Sequence, residues 1–342
     1  MRLMPAVMAL YAIAACARTS APDLSAPDLD VILAEAPAAT LAEYGLFADT
    51  AGRTPAPGVV AYDLINPLFS DHTQKHRFVY IPAGQSADYT EADVLAFPIG
   101  TVLVKTFAYG ERYLETRLLI HETDGWDARP YVWNVAQTEA VYAPIGKRIE
   151  MAAAVAQESA PAFTYAVPNK NQCKTCHQDG DAVSPIGPKV RNLNHQGPYQ
   201  VNQISDWVAR GLLEGAPANP PQMAKAFDDT APLDAQARAY LDINCAHCHK
   251  ASGSASNSGL WLEWETDDPI KWGVGKHPTA AGRGAGDALV VIAPGNPDAS
   301  ILAYRMASNE AGIAMPELGR ALVHAEGAAL IEAWISGMDT VE

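Results

Sequence analysis

The sequence predicts an α+β protein, in which an N-terminal antiparallel β-rich domain is followed by mainly α-helical segments. Three stretches are rich in β-branched and aromatic side chains and are separated by Gly, Asp and Pro turns: 101–109, 112–123 and 129–144. The last part of the chain has helical periodicity instead. Its terminal helix is predicted to carry these residues on one side: Leu330, Ile331, Trp334, Ile335 and Met338.

The chain is large and apolar enough for two or three units with their own cores, since it has 342 residues and 49% of them are hydrophobic. Asp and Glu outnumber Lys and Arg by 39 to 24, which gives a formal net charge of −15. This charge argues against nucleic acids and anionic membrane surfaces as partners. It agrees with partner proteins that present basic patches, or with acidity that only keeps the protein soluble.

Two Cys-x-x-Cys-His motifs contain four of the five cysteines. Their residues are Cys173, Cys176 and His177 in the first motif and Cys245, Cys248 and His249 in the second. Zinc-ribbon knuckles usually lie roughly 15–20 residues apart, whereas almost seventy residues separate these motifs. A thioredoxin-like site needs one Cys-x-x-Cys and no histidine after it. Haem c attachment uses all three residues, because two thiols add to the porphyrin vinyl groups and the histidine ligates the iron.

The motifs therefore predict two covalently bound haem c groups, each with its iron. The four motif cysteines are the predicted attachment sites, and the two motif histidines are the predicted proximal iron ligands. Zinc binding and a disulfide are the alternatives. A carbonyl at Gly187-Pro188 is expected to accept a hydrogen bond from Nδ1 of His177, which would tune the iron.

The N-terminus has the features of a lipoprotein signal peptide, which agrees with haem attachment outside the cytoplasm. Arg2 precedes an apolar run that ends in Ile13-Ala14-Ala15-Cys16, a sequence typical of a lipobox. Residues 1–15 are thus the predicted signal peptide, and Cys16 is the predicted lipidation site. Ala17 follows it rather than Asp, which predicts the periplasmic face of the outer membrane. The alternative is an ordinary secretory peptide, and the run is too short for a transmembrane anchor.

The rest of the chain divides into four predicted parts. Residues 16–40, rich in Pro, Ala and Asp, are a predicted flexible tether. Residues 41–167 are the β-rich domain, which has no metal motif of its own. Residues 168–231 are the first haem c segment, with its motif in a loop and a helix over 202–213. Residues 232–342 are a small helical domain of cytochrome c type, whose first helix ends at the second motif.

The sequence predicts a single distal ligand for the second iron but not for the first. Met315 lies in a Gly-bounded loop before the terminal helix, and its thioether is a soft ligand that favours Fe(II). It is the predicted distal ligand of the second haem, and a buried core methionine is the alternative. The residues leave several alternatives for the first haem: Met223, His195, His76, Met151 or an open iron.

Several sequence segments between about Tyr44 and Met338 resemble those of the bacterial two-haem c-type cytochrome lipoproteins. The segments include "YDLINPLFSDHTQKHRFVYIP", "VPNKNQCKTCH", "PIGPKVRNLN", "RAYLDINCAHCH" and "MPELGR". The resemblance implies two haems and electron transfer, names no substrate, and agrees with Met315 as a ligand. Residues 232–342 more broadly resemble class I cytochrome c.

The expected function is that of a membrane-tethered periplasmic dihaem cytochrome, which exchanges electrons with other redox proteins. The rival is a dihaem enzyme, either peroxidase-like or an oxidase of a small periplasmic substrate, with an open first haem. A β-rich domain that serves as a substrate platform would favour the enzyme. No acid/base pair near the first motif stands out in the sequence, so no catalytic residue is predicted, and the carrier is the leading hypothesis.

Overall fold

The structure is a computed structural model that describes residues 27–49 and 51–339. The predicted signal peptide, Cys16 and residues 16–26 of the predicted tether lie outside the described residues. The described part is a mixed α and β protein with a large antiparallel sheet and few long helices, which agrees with the coarse prediction.

The strands follow one another closely in the first half of the chain. They are β1 (Val59–Tyr62), β2 (Gln74–Tyr80), β3 (Ala87–Asp88), β4 (Val102–Tyr109), β5 (Arg112–Glu122), β6 (Gly125–Trp133), β7 (Ala140–Tyr142), β8 (Lys147–Met151), β9 (Phe163–Val167), β10 (Gln178–Asp179), β11 (Ala182–Val183) and β12 (Leu213–Glu214). Six of them form the central sheet in the order β1-β2-β4-β5-β6-β7, with every neighbouring pair antiparallel. The stretches predicted as strands become β4 to β7, because β-branched and aromatic side chains suit a pleated surface.

Both faces of the central sheet are covered. On one face, Val104 and Ile120 pack with Ile32 and Tyr44 from the N-terminal residues. On the other face, Leu103 and Leu119 pack with Cys173, Leu193 and Trp207, which come from residues 168–213. We call this second face the motif face, since it contacts the first Cys-x-x-Cys-His motif.

The helices lie mainly in the second half of the chain. They are α1 (Leu29–Ile32), α2 (Lys170–Cys176), α3 (Val190–Leu193), α4 (Gln203–Ala209), α5 (Leu233–Asn244), α6 (Pro269–Trp272), α7 (Ile301–Met306) and α8 (Ala325–Ser336). Short 3₁₀ turns occur at Leu41–Tyr44, Ser256–Ser258, Gly282–Ala285 and Pro297–Ala299. Among the residues that the structure describes, no helix has the length and apolar character needed to cross a bilayer.

Two predicted helices differ in part from the structure. The helix predicted over 202–213 is shorter, because Asn202 caps α4 by accepting a hydrogen bond from the Ser205 amide and α4 ends at Ala209. Ile204 and Trp207 of α4 are buried, whereas Val208 is 47% exposed. The terminal helix α8 buries Leu330, Ile331, Trp334 and Ile335 of its predicted stripe, but Met338 lies beyond the end of α8 and is half-buried against the same core.

The described end of the predicted tether is packed rather than free. Ile32 in α1 is 0% exposed and belongs to the core on one face of the sheet. Arg129 Nη2 donates to the Ala34 carbonyl at 3.1 Å, and the Tyr131 hydroxyl donates to the Ala38 carbonyl at 2.9 Å. The tether prediction over 16–40 therefore extends too far, because composition alone does not reveal that the sheet has an apolar face for Ile32 to cover.

The loop of residues 63–73 connects the sheet to both later parts of the chain. Asn66 Nδ2 donates to the Ala224 carbonyl at 2.8 Å, and the Asn66 amide donates to Asn192 Oδ1 at 2.9 Å. The Phe69 amide donates to Asn244 Oδ1 at the end of α5, at 2.8 Å. Buried polar groups are nearly always hydrogen-bonded in folded proteins. These buried hydrogen bonds therefore hold the sheet and the two later parts of the chain together as one unit.

The packing of Ile32 generates a stability prediction. Ile32→Ala should lower the free energy of unfolding by about 2–5 kcal/mol, because it leaves a cavity in the core beside the sheet. Leu33→Ala is the matched control, since Leu33 is 41% exposed and its loss should change stability by less than about 0.5 kcal/mol. Urea unfolding of both variants measures the difference, and equal stabilities would show that residues 27–40 are a free tether.

Candidate functional site

Both Cys-x-x-Cys-His motifs border one cavity of about 180 Å³ between the motif face and the later helices. A single water needs only about 10–15 Å³, so the space is far larger than a hydration site. Motif residues in its wall are Cys173, Cys176, His177, Cys245 and His247, whereas Cys248 and His249 are not among the residues that line it. The other walls come from β2, β4 and β5, from residues 185–188, from α5 and from residues 315–320.

The first motif is carried by a short capped helix rather than by the predicted loop. The Asn169 side chain accepts from the Gln172 amide at 2.9 Å, and the Gln172 side chain accepts from the Asn169 amide at 3.0 Å. This reciprocal cap starts α2. Cys173 and Cys176 lie three apart on α2, which places them on the same side of the helix, and His177 ends it.

The imidazole of His177 is held in one orientation. Its Nδ1–H donates to the Ser184 carbonyl at 2.8 Å. A carbonyl only accepts, so Nδ1 carries the proton and Nε2 keeps a free lone pair. Burial is the main cause that lowers the pKa of His177 to about 4, so the ring is neutral at pH 7. The accepting carbonyl belongs to Ser184 and not to the predicted Gly187-Pro188, although Gly187 and Pro188 do line the cavity.

The second motif begins where α5 ends. Cys245 caps α5, and the His249 amide donates to the Cys245 carbonyl at 2.9 Å, which continues the turn. His249 Nδ1 lies 3.1 Å from the Ser258 hydroxyl oxygen. The single hydroxyl proton of Ser258 is used on the Ala255 carbonyl at 2.7 Å, so Nδ1–H must be the donor. Nε2 of His249 is therefore also free, and burial lowers its pKa to about 4.

The two motifs touch each other. The thiols of Cys176 and Cys248 are neighbours, and their mutual influence raises the pKa of Cys176 and lowers that of Cys248. Next to this contact the Gly180 amide donates to the Ser252 carbonyl at 2.7 Å, and Lys250 pairs with Asp179 at 3.1 Å. The two predicted attachment sites, which are distant in sequence, are thus neighbours in space, and all four motif cysteines are free thiols.

A buried carboxylate fixes the helix that leads to the second motif. Asp242 in α5 is 4% exposed and pairs with Arg191 of α3 at 3.1 Å and with Lys189 at 3.6 Å. It also accepts from the Trp264 amide at 3.0 Å. Burial alone would raise the pKa of Asp242, but the two cations and the amide outweigh it and hold the pKa below its ordinary value.

Met315 lines the same cavity, half-buried, in a loop that is fixed at both sides. Its amide donates to the Arg305 carbonyl at 3.0 Å, and its carbonyl accepts from Arg320 Nη2 at 3.0 Å. The thioether is therefore available to the cavity, and ligation of an iron by Met315 stays a prediction.

The candidate distal ligands of the first haem lie elsewhere. Within the described residues, none of Met223, His195, His76 and Met151 lines the cavity. Met223 and Met151 are buried, with 3% and 2% of their surface exposed. His195 Nε2 lies 3.0 Å from Gln203 Nε2, and His76 packs against Tyr113 with ring centroids 5.4 Å apart. The cavity wall is assembled from segments that are distant in sequence, so the linear sequence did not show which histidines and methionines line it.

Sequence reasoning missed other residues that do line the cavity. They are His247, His324, Met306, Arg77, Lys105 and Arg117. His247 is one of the two variable positions inside the second motif and carries no distinctive signal. The cations had a usable signal, because strand alternation puts Lys105 on the same face as the apolar Leu103 and Phe107.

Comparison of the chain with protein-family models, with curated proteins and with solved structures finds no match. A cluster of three or more His, Cys, Asp or Glu side chains suited to a metal ion is also not found among the described residues. A haem iron needs only one or two protein ligands, since the porphyrin supplies the others.

Proposed function

We propose that the protein is a dihaem c-type cytochrome that carries electrons between other redox proteins on the periplasmic face of the outer membrane, where lipidation of Cys16 tethers it. The observation that carries the proposal is the common cavity of the two motifs. Three of the four motif cysteines border it, and the fourth, Cys248, lies beside Cys176. Each motif histidine has its Nδ1 occupied and its Nε2 free.

The residues around the cavity fit a haem. Its walls include Leu64, Leu103 and Leu119, which suit an apolar macrocycle. Three buried polar atoms of lining residues lack a hydrogen-bond partner: Arg77 Nη2, His247 Nδ1 and Arg320 Nε. Buried polar atoms are nearly always satisfied in folded proteins, so unpartnered atoms around a cavity support a bound polar ligand.

Each bound haem would supply one reversible Fe(III)/Fe(II) couple. The residues of the chain would attach and orient the group and exclude water from it. The Ser184 carbonyl and the Ser258 hydroxyl would fix the proximal imidazoles and raise their basicity. The net charge of −15 favours donors and acceptors that present basic patches.

Cytochrome c-type organisation of the helical segments is part of the proposal. Helix α5 ends at the second motif, the Met315 loop follows α7, and the terminal helix α8 packs with α5 in one core through Leu241, Ile331 and Ile335. Trp334 Nε1 in α8 donates to Asp234 Oδ1 in α5 at 2.9 Å. This order of helix, motif, ligand loop and terminal helix supports a class I-like domain over 232–342.

The second candidate is a dihaem enzyme with an open first haem, acting on peroxide or another small substrate. It is supported by the position of the four predicted distal ligands, which all lie away from the cavity. The electron carrier remains the leading proposal, because His247 and His324 also line the cavity. Their imidazoles are available as distal ligands, and a first iron with a distal ligand is not open to a substrate. The spin state of the first iron separates the two functions.

The first prediction concerns haem content. The denatured protein should give a pyridine haemochrome spectrum that corresponds to two haems per chain, because each motif provides one pair of thiols. Cys173→Ala combined with Cys176→Ala should leave one haem, and Cys245→Ala combined with Cys248→Ala should leave the other. A single haem in the wild type, or bound zinc without iron, contradicts the proposed function.

The second prediction concerns the distal ligands. Met315→Ala should abolish the charge-transfer band of a methionine–Fe(III) bond and lower one reduction potential by roughly 0.1 V or more, within the ~0.8 V range that axial ligands span. Met306→Ala is the matched control, since Met306 lines the same cavity and should leave the band unchanged. A band that persists without Met315 would assign the thioether to another methionine.

Electron paramagnetic resonance of the same oxidised samples reports the first iron. A low-spin first haem that does not react with peroxide agrees with an electron carrier. A high-spin first haem that binds peroxide before any mutation would favour the enzyme instead.

The third prediction concerns the anchor. Labelled fatty acid should enter the wild type and not Cys16→Ala, because the thiol of Cys16 is the only lipidation site that the lipobox offers. The wild type should fractionate with membranes and the variant with the soluble periplasm. A wild-type protein that is soluble and starts at another residue would contradict the tether.

A further inference from the structure

We infer that the motif face of the sheet is a carboxylate-binding site, and that it takes the two propionates of the haem attached at Cys173 and Cys176. The inference rests on the proposed function and deepens it. It gives the β-rich part of the chain a role in holding the cofactor.

Three cations lie side by side across the sheet. Arg77 on β2 is directly opposite Lys105 on β4, and Lys105 is directly opposite Arg117 on β5. We call these three residues the cation row, and all of them line the cavity. Like charges directly opposite each other destabilise a sheet, so a row of this kind requires anions at its surface.

The protein itself neutralises only the two ends of the cation row. Arg77 pairs with Asp63 at 2.8 Å, and Arg117 makes two hydrogen bonds to Glu115 at 2.6 and 2.8 Å. Within the described residues no carboxylate pairs with Lys105, whose ammonium lies 4.9 Å from the centre of the Phe107 ring.

A fourth cation adds to the excess charge. Lys75 lies two residues before Arg77 on β2 and therefore on the same face, and its ammonium donates to the Thr73 carbonyl at 3.0 Å. The nearby carboxylate of Asp71 is occupied, since it accepts from the Ala321 and Leu322 amides at 2.7 and 2.8 Å. Lys75 and Lys105 of this face thus have no carboxylate partner among the described residues, whereas Arg77 and Arg117 each have one.

One donor of the cation row has no partner at all. Arg77 is 5% exposed, and its Nη2 is buried without a hydrogen bond. An unpaired guanidinium nitrogen in a cavity wall is costly unless a ligand accepts from it. Guanidinium groups match carboxylates in geometry, which points to a carboxylate as that ligand.

The neighbouring surface identifies the carboxylate. Cys173 packs on the motif face against Leu103 and Leu119, which precede Lys105 and follow Arg117 by two residues on their strands. The attachment thiol thus lies on an apolar patch directly beside the cation row. A ring with an apolar body and two carboxylates matches this surface in polarity, and its carboxylates would supply the anions that the two unpaired lysines lack.

The test is a redox titration of the purified two-haem protein and its Lys105 variants. Lys105→Gln should shift the Fe(III)/Fe(II) equilibrium of the His177 haem about tenfold toward Fe(III), because a unit charge near the propionates is lost. Lys105→Arg should keep the wild-type potential. Lys147→Gln is the matched control, since it removes the same charge from an exposed residue of β8 outside the cavity and should shift neither potential.

Folding of the variants gives an independent readout. If the cation row holds propionates, Lys105→Gln should lower the melting temperature of the two-haem protein. If the row has no ligand, the same change only relieves repulsion between like charges, and the melting temperature should rise or stay constant while both potentials remain unchanged. That second result overturns the inference.

Two further outcomes also overturn it. A change in the spin state of the His177 iron in Lys105→Gln would show that Lys105 ligates the iron. A wild-type potential that moves with added succinate would show that the row binds soluble dicarboxylates. Haem content, measured on the same samples, separates this inference from the proposed function: two haems with no shift refute only the carboxylate site, whereas a protein without haem refutes the function itself.

Discussion

The arrangement of the site depends on the buried ion pair between Asp242 and Arg191. Asp242 belongs to the helix that ends at the second motif, and Arg191 belongs to the segment that follows the first motif. Desolvation offsets much of the attraction in such a pair, so its net contribution to stability is modest. Its directional hydrogen bonds nevertheless allow few alternative packings. The pair therefore helps to fix the relative position of the two motifs, which also contact each other through Lys250 and Asp179.

The two faces of the central sheet differ in what they contact. One face buries a conventional apolar core against the N-terminal residues, where Ile32 and Tyr44 are fully buried. The motif face is divided between apolar residues around Leu103 and the cation row of Arg77, Lys105 and Arg117. This division explains why the β-rich part is not a separable platform. It forms a wall of the cavity, and its stability is coupled to what the cavity holds.

Charge is distributed unevenly between the surface and this interior wall. The chain as a whole is strongly acidic, with a net charge of −15. The cavity wall carries the three cations of the cation row, of which only Arg77 and Arg117 pair with a carboxylate. An acidic surface suits encounters with basic redox partners, whereas cations beside an iron favour its reduced form. Both features agree with electron carriage at a raised potential.

The sequence by itself determined the local features: the two Cys-x-x-Cys-His motifs, the strands β4 to β7, most of the stripe of the terminal helix and Met315 in a loop before it. These depend on spacing and periodicity over a few residues, which a linear pattern preserves. Only the tertiary structure decided that both motifs share one cavity, that Ser184 accepts from His177, and that Lys105 lies between two arginines. The same holds for the position of Met223, His195, His76 and Met151, the candidate distal ligands of the first haem, outside the residues that line the cavity. Contacts of this kind join residues that are far apart in sequence, and long-range packing alone sets their distances.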